Sequence, residues 1–169
     1  MIKLKRLYNE EISMELTYRF ATIEDIDTLV STRMDILIDM LKLDPDTDMS
    51  ELEAATRPYY ERAIADGTQL AVLVFDGDKF VGAGAVCLYS VMPTFYNISG
   101  KRGYIMNMYT CPEYRGHGIA TRTVDMLVNK CKELGYTHIT LAATEMGQPV
   151  YEKYGFKKQG DQMVYKIVN

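Results

Sequence analysis

Histidine and cysteine are scarce in this chain, and the few present do not fall into a metal-binding pattern. His117 and His138 are the only two histidines, and Cys87, Cys111 and Cys131 are widely spaced with no C-x-x-C pair. A His/Cys zinc site is therefore not expected, and no metal is assigned. An odd number of scattered cysteines suggests free thiols in a reducing cytosol, so a cytoplasmic protein is the expectation. Basic residues are not in excess either. The chain has 19 Lys and Arg against 23 Asp and Glu, a net charge of −4, which argues against nucleic acid as a general partner. No run approaches the roughly 20 apolar residues of a membrane helix, so no membrane partner is expected. The opening Met1-Ile2-Lys3-Leu4-Lys5-Arg6 is charged, and the apolar core of a secretory leader does not follow it. No repeat or low-complexity stretch interrupts the 169 residues. They fit a single domain over residues 16–169 with an N-terminal extension over 1–15. Apolar residues make up 47%, enough for a chain of this size to bury a core without staples.

The apolar pattern changes period along the chain. Residues 16–20 alternate and predict a first strand. Thr22 reads as an N-cap with Asp25 three positions on, and Ile26, Leu29, Val30, Met34, Leu37, Ile38 and Leu41 then recur at helical spacing. Asp44-Pro45-Asp46-Thr47-Asp48 ends that helix. Its spacing mimics the start of a calcium loop, but Met49 stands where a glycine is needed and Ala55 where a carboxylate is needed. A linker with helix-capping carboxylates is the expectation there. A second helix is predicted over 50–65. Residues 69–75 and 79–90 are β-rich runs joined by Asp76-Gly77-Asp78, a hairpin signal. Gly82 and Gly84 inside the second run predict a bulge or a close backbone approach. A loop over 93–101 and a strand over 103–110 follow. Next come a helix over 116–134 closed by Gly135, a strand over 137–142 and a short helix over 147–154. A final hairpin is predicted from Phe156, turning near Gly160-Asp161. The order predicts a mixed α/β domain with one central sheet.

The most informative stretch is Tyr109-Thr110-Cys111-Pro112-Glu113-Tyr114-Arg115-Gly116-His117-Gly118-Ile119-Ala120-Thr121. It reads as a strand end, a turn, and a glycine-punctuated loop opening into a helix. Backbone N–H groups at a helix start, helped by the helix dipole, suit a phosphate or pyrophosphate. Further on, Val150-Tyr151-Glu152-Lys153-Tyr154-Gly155-Phe156 offers a phenol to the same region. One segment to hold a phosphorylated carrier and one to protonate its leaving group suggest acyl transfer. A dinucleotide-binding module is the rival. Gly116-x-Gly118 is half of that fingerprint, but no third glycine follows at the right offset and too little chain remains for more crossover units.

These residues resemble the GNAT superfamily of acyl-coenzyme A-dependent N-acyltransferases. The signature of that family is Gln or Arg, two residues, Gly, one residue, then Gly or Ala. It stands here as Arg115-Gly116-His117-Gly118-Ile119-Ala120, and Tyr151 before Gly155-Phe156 matches the second family element. The resemblance implies a GNAT-like fold with a mostly antiparallel twisted sheet, splayed at a cofactor slot and flanked by helices. It implies acetyl-CoA as cosubstrate, with the acetyl group passing to a primary amine by direct attack within a ternary complex. The backbone of Met108 would face the acyl carbonyl and stabilise its oxyanion, and Tyr109 and Thr110 would line the pantetheine arm. Arg115, Gly116, His117, Gly118, Ile119, Ala120 and Thr121 would wrap the pyrophosphate, with Arg122 a weaker contact. Tyr151 would be the general acid, since a phenol near pKa 10 and a thiol near about 8.5 are close enough for proton transfer.

There are departures from the family pattern. Thr144 stands where many members carry a pantetheine-binding Asn. The strand Tyr104-Ile105-Met106-Asn107-Met108 lacks the Glu or His that many members use as general base. Glu145 is the candidate carboxylate in its place. The acceptor would lie over the first helices and the loop from Tyr89 to Lys101. Arg33, Asp35, Asp39, Tyr59, Tyr60, Tyr89, Tyr96 and Asn97 are available there. A small-molecule amine and a peptide amine both remain open, as do a homodimer, a longer acyl-CoA, and a non-catalytic domain that binds CoA.

Overall fold

The computed structural model describes residues 14–160, 163, 165 and 166. Among these residues five strands form one sheet in the order β1-β2-β3-β4-β5. They are β1 (Leu16–Phe20), β2 (Gln69–Asp76), β3 (Lys79–Ser90), β4 (Lys101–Thr110) and β5 (His138–Leu141). The first four run antiparallel to their neighbours, and β5 runs parallel to β4. A parallel pair needs a crossover, and the helix α3 (Ile119–Glu133) supplies it.

Alternation along the strands sends side chains to two cores. Val72, Val74, Val81, Val86 and Ile105 pack on one face with Ile119, Val124, Leu127, Val128 and Cys131 of α3. Ala71, Leu73, Ala83 and Ala85 pack on the other face with α1 (Ile26–Leu41) and Tyr60 of α2 (Ser50–Ala65). Side chains of successive strand residues point to opposite faces, so a strand covered on both sides carries few polar residues. The centre of β3, Val81 to Val86, fits that rule and is buried throughout. A short helix, α4 (Gln148–Tyr154), lies against α3, where the Tyr154 hydroxyl donates to Asp125 Oδ1 at 2.9 Å.

The entry to α1 follows the sequence reading. Thr22 caps a single turn of 3-10 helix: its hydroxyl accepts from the Glu24 N–H at 3.3 Å, and its own N–H donates to Asp25 at 2.8 Å. Arg19 on β1 forks onto both Asp25 oxygens at 2.7 Å. The Arg19 guanidinium and then the Thr22 N–H hold the Asp25 carboxyl at about 2, below its ordinary 3.8. A depressed carboxylate stabilises the fold above its unfolded pKa, and that stability is lost as pH falls through the folded value. Asp25 therefore contributes at most about 2 kcal/mol, discounted because Arg19 is half exposed. Thermal melts of wild type should show this contribution fading between about pH 4 and 2, and Asp25→Asn should melt lower at neutral pH with a flatter acid profile.

Several boundaries differ from expectation. α3 starts at Ile119 rather than Gly116, because Gly116 and Gly118 take φ of +84° and +78°, which no right-handed helix contains. β4 begins two residues early, and β5 is shorter than expected at both ends. The final hairpin is not found among the described residues. Residues 156–160 form no strand, and Lys157, Lys158, Gln159 and Gly160 bring little β-propensity. Most of that hairpin and of the N-terminal extension lies outside the described residues. In the acidic linker, Asp44 accepts from the Asp46 N–H and Asp48 from the Ser50 N–H, each at 2.9 Å, so both brace the turn into α2.

Candidate functional site

The site lies where β4 and β5 part. Their pairing ends with Ile105 opposite Leu141, and on that side residues 106–110 of β4 run on beside no other strand among the described residues. On its other side β4 stays paired with β3, but the register shifts between Ala83 and Ala85. Gly84 alone then faces Asn107 and Met108, so β4 carries one extra residue, a β-bulge. Asn107 takes φ of +54°, the left-handed region. The two glycines singled out on β3 allow this. A Cβ at Gly84 would run into the Met108 sulfur and lie 2.6 Å from Thr123 Cγ2, and one at Gly82 would lie 2.9 Å from the Tyr109 carbonyl oxygen.

The side chain of Met108 packs into the α3-side core, which leaves its main chain as its contribution to the notch. The Tyr109 ring packs toward α1. Burial first, and then the nearby Cys111 and Asp39, push its phenol up to about 12. Farther along, the Cys111 N–H donates to the Val81 carbonyl at 2.9 Å, toward β3. Peptide groups alternate along a strand, so those of Thr110 turn to the notch side. The Thr110 carbonyl accepts there from Arg115 Nε at 3.1 Å. Among the described residues the hydroxyls of Thr110 and Thr123 are buried without a hydrogen-bond partner, and buried polar groups normally find one in protein, water or ligand.

The notch leads to the glycine loop. A Cβ placed on Gly116 or Gly118 would meet nothing within 4 Å, so the space before both residues is open, and their positive φ is the reason glycine stands there. Gly118 is the N-cap of α3 and no side chain caps the helix. The first N–H groups of α3 are therefore free for an anion. His117 and Thr121 are exposed in front of them, and Ala120 is half buried. The Arg115 guanidinium leans on the Thr110 carbonyl and lies 3.8 Å from Asp39, so its charge is partly engaged inside the protein. The Arg122 guanidinium stacks 4.7 Å above the Tyr18 ring. Open glycines, uncapped helix N–H groups and an orphaned threonine hydroxyl fit a diphosphate with an extended arm.

Tyr151 sits in α4, half buried, with its ring edge-on to Phe156 at 6.1 Å. Its phenol has no hydrogen-bond partner among the described residues, and burial raises its pKa above the ordinary 10.0. It lines a cleft of about 990 Å³ with Tyr104, Thr140, Leu141 and Ala142. That cleft follows β5 and is not lined by the glycine loop. Thr144 shapes the turn into α4, where its hydroxyl oxygen accepts from the Gly147 N–H at 3.2 Å. Glu145 is exposed in the same turn and has no ion pair or hydrogen bond among the described residues.

On the acceptor side the candidates divide. Asp35 and Asp39 line a shallow pocket of about 380 Å³ at the end of α1. Tyr60 is buried in the core, and Asn97 is buried as the organiser of its own loop, donating to the Lys101 carbonyl at 3.0 Å. Neither is free to meet an acceptor. Tyr59 touches the Cys87 sulfur at 3.3 Å, while Tyr89 and Tyr96 are exposed. Arg33 is tied to Asn107. Asn107 carries only a faint local signature: Asn is the non-glycine residue most at ease with positive φ, and here it stands inside a strand.

The model of the acetyltransferase (GNAT) family matches residues 35–156, most of the chain. The chain belongs to this family. It is therefore an acyltransferase of the GNAT type. N-alpha-acetyltransferase 30 of Schizosaccharomyces pombe is 28% identical to it over 107 residues, spanning 62% of this chain and 68% of that protein. The crystal structure of a predicted acetyltransferase with acetyl-CoA from Clostridium acetobutylicum is 34% identical, with a TM-score of 0.80 over 89% of this chain and 96% of that one. A GCN5-related N-acetyltransferase from Ralstonia eutropha, 23% identical with a TM-score of 0.76, covers 90% of this chain and 98% of its own, and shows the same fold. Among the described residues of this GNAT protein, no helix is long and apolar enough to cross a membrane, and no cluster of His, Cys, Asp and Glu offers a metal site.

Proposed function

We propose that this protein moves the acetyl group of acetyl-CoA to a primary amine by direct attack within a ternary complex. The observation that carries the proposal is the unpaired edge of β4 beyond Ile105, bulged at Asn107 and leading to the open glycines of the loop. The pantetheine arm lies along residues 106–110 as an extended guest, and the diphosphate takes the N–H groups that begin α3. The main-chain N–H of Met108 donates to the thioester carbonyl oxygen. As the amine attacks, that oxygen becomes an oxyanion and the bond strengthens, an effect worth about 3 kcal/mol for one donor. The tetrahedral intermediate then collapses, the carbon–sulfur bond breaks, Tyr151 gives its proton to the departing thiolate, and the proton released by the acylated nitrogen restores the phenol through water. Its raised pKa suits an acid, because the phenol stays protonated across the neutral range.

An ammonium acceptor must lose a proton before it attacks. β4 carries no carboxylate or imidazole from Tyr104 to Thr110, so the proton leaves through water, with exposed Glu145 as the candidate acceptor. Asp35, in the pocket on the second half of α1, favours a cationic amine, while Asp39 beside it is already paired with Lys42 and Arg115, and the likeness to N-alpha-acetyltransferase 30 keeps a peptide N-terminus among the acceptors to try. Calorimetry with acetyl-CoA, followed by thiol release against a panel of small and peptide amines, tests the reading. Binding with amine-dependent thiol release is expected. Binding without release from any amine would leave a CoA-binding domain, and preference for succinyl-CoA would move the assignment to a longer acyl group.

A further inference from the structure

Asn107 is the residue on which the bulge turns. A left-handed conformation costs an L residue with a side chain more than it costs glycine, though least for Asn, so a contact that holds the Asn107 side chain adds to the preference of the bulge for it. Arg33, halfway along α1, donates from Nη1 to Asn107 Oδ1 at 2.8 Å across 74 residues of sequence. A guanidinium can only donate, so the orientation of the Asn107 amide is fixed by its partner. The arginine is not occupied elsewhere by acid. Ion pairs among the described residues engage Arg19, Arg57 and Arg115, but not Arg33. It is half buried, and its charge lies near the Tyr60 phenol, which it lowers against the upward push of burial. A charged donor meeting a neutral acceptor in a partly desolvated place is a strong hydrogen bond.

We propose that Arg33 is a positioning residue for acyl transfer: by holding the Asn107 side chain it keeps the bulge of β4 in the left-handed turn that sets the direction of the Met108 N–H. This rests on the reading of Met108 as the oxyanion donor. If Asn107 relaxes to the extended region, the peptide that joins it to Met108 rotates and its N–H leaves the notch. The clamp also links α1, which carries Asp35 and Asp39, to the strand that carries the reacting carbonyl.

The test is Arg33→Met, which keeps the aliphatic stem and removes the donors. kcat is expected to fall about tenfold to hundredfold, while the affinity for acetyl-CoA and the KM for the amine change less than about twofold. Asn107→Gly added to Arg33→Met should recover much of that loss, since glycine enters the left-handed region without a clamp. The two substitutions are then non-additive. An independent readout is the Asn107 Cα and Cβ chemical shifts, which should leave the left-handed range in Arg33→Met. Unchanged kcat, a change confined to the amine KM, multiplicative effects of the two substitutions, or unmoved Asn107 shifts would each overturn the clamp. If wild type does not bind acetyl-CoA, the site reading fails instead, and the Asn107 shifts still decide whether the clamp exists.

Discussion

Gly118→Val is expected to remove detectable binding of acetyl-CoA while the domain stays folded. Gly118 stands at φ of +78° at the start of α3, and a Cβ there would project into open space. The Cβ displaces no protein atom, so the main cost to the fold is the conformational strain of a side chain in the left-handed region, about 1–2 kcal/mol. The cost to the ligand is larger. The added side chain occupies the space in front of the first N–H groups of α3, where the diphosphate is proposed to lie. A shift of the loop to relieve φ turns those groups away as well. Affinity should drop at least about a hundredfold, or about 2.7 kcal/mol. Gly118→Asn separates the two causes, because Asn tolerates positive φ but still brings a side chain. Calorimetry and a thermal melt on each variant check this. A Val variant that melts normally and still binds tightly would place the diphosphate elsewhere.

Tyr151→Phe should lower kcat by about a hundredfold to ten-thousandfold, the range of a lost general acid. The substitution isolates the hydroxyl, since the ring keeps its edge-on packing with Phe156 and the phenol makes no hydrogen bond among the described residues. Melting temperature and coenzyme affinity should therefore remain near wild type. The pH profile gives a second check. Burial raises the phenol above 10.0, so the acid form persists, and any alkaline loss of rate through this group begins above that value. The Phe variant should lose that alkaline limb together with its rate. Wild-type turnover in Tyr151→Phe would return Tyr151 to packing alone.

The parts of the fold legible in the sequence were those written in local period. The seven apolar positions from Ile26 to Leu41 gave α1, and Asp76-Gly77-Asp78 gave the turn between β2 and β3. Gly82 and Gly84 marked a close approach before its partner was known, and the structure supplies it as the bulge at Asn107 and Met108. Features that depend on distant pairs were not legible. The Arg33–Asn107 bond joins residues far apart in sequence, and neither carries a local signature of the other. Tyr60 and Asn97 looked like surface groups because tyrosine and asparagine often are. Their burial follows from the way α2 docks on the sheet and from the hydrogen bonds inside the loop that follows β3. The end of β5 at Leu141 depends on where β4 bends away, which no local pattern in residues 137–142 records.

A gap between two strands of one sheet is unlike an outer edge. An outer edge accepts any extended polypeptide, because side chains can project above and below it. Beside residues 106–110 the flanks are already occupied, by α3 on one face and by α1 on the other. An intruding polypeptide would bring side chains against both of those helices. A slender chain of amides and methylenes can form the same backbone hydrogen bonds with nothing to stow on either side. With the pantetheine arm seated there as proposed, the doorway selects by thickness before any functional group is recognised.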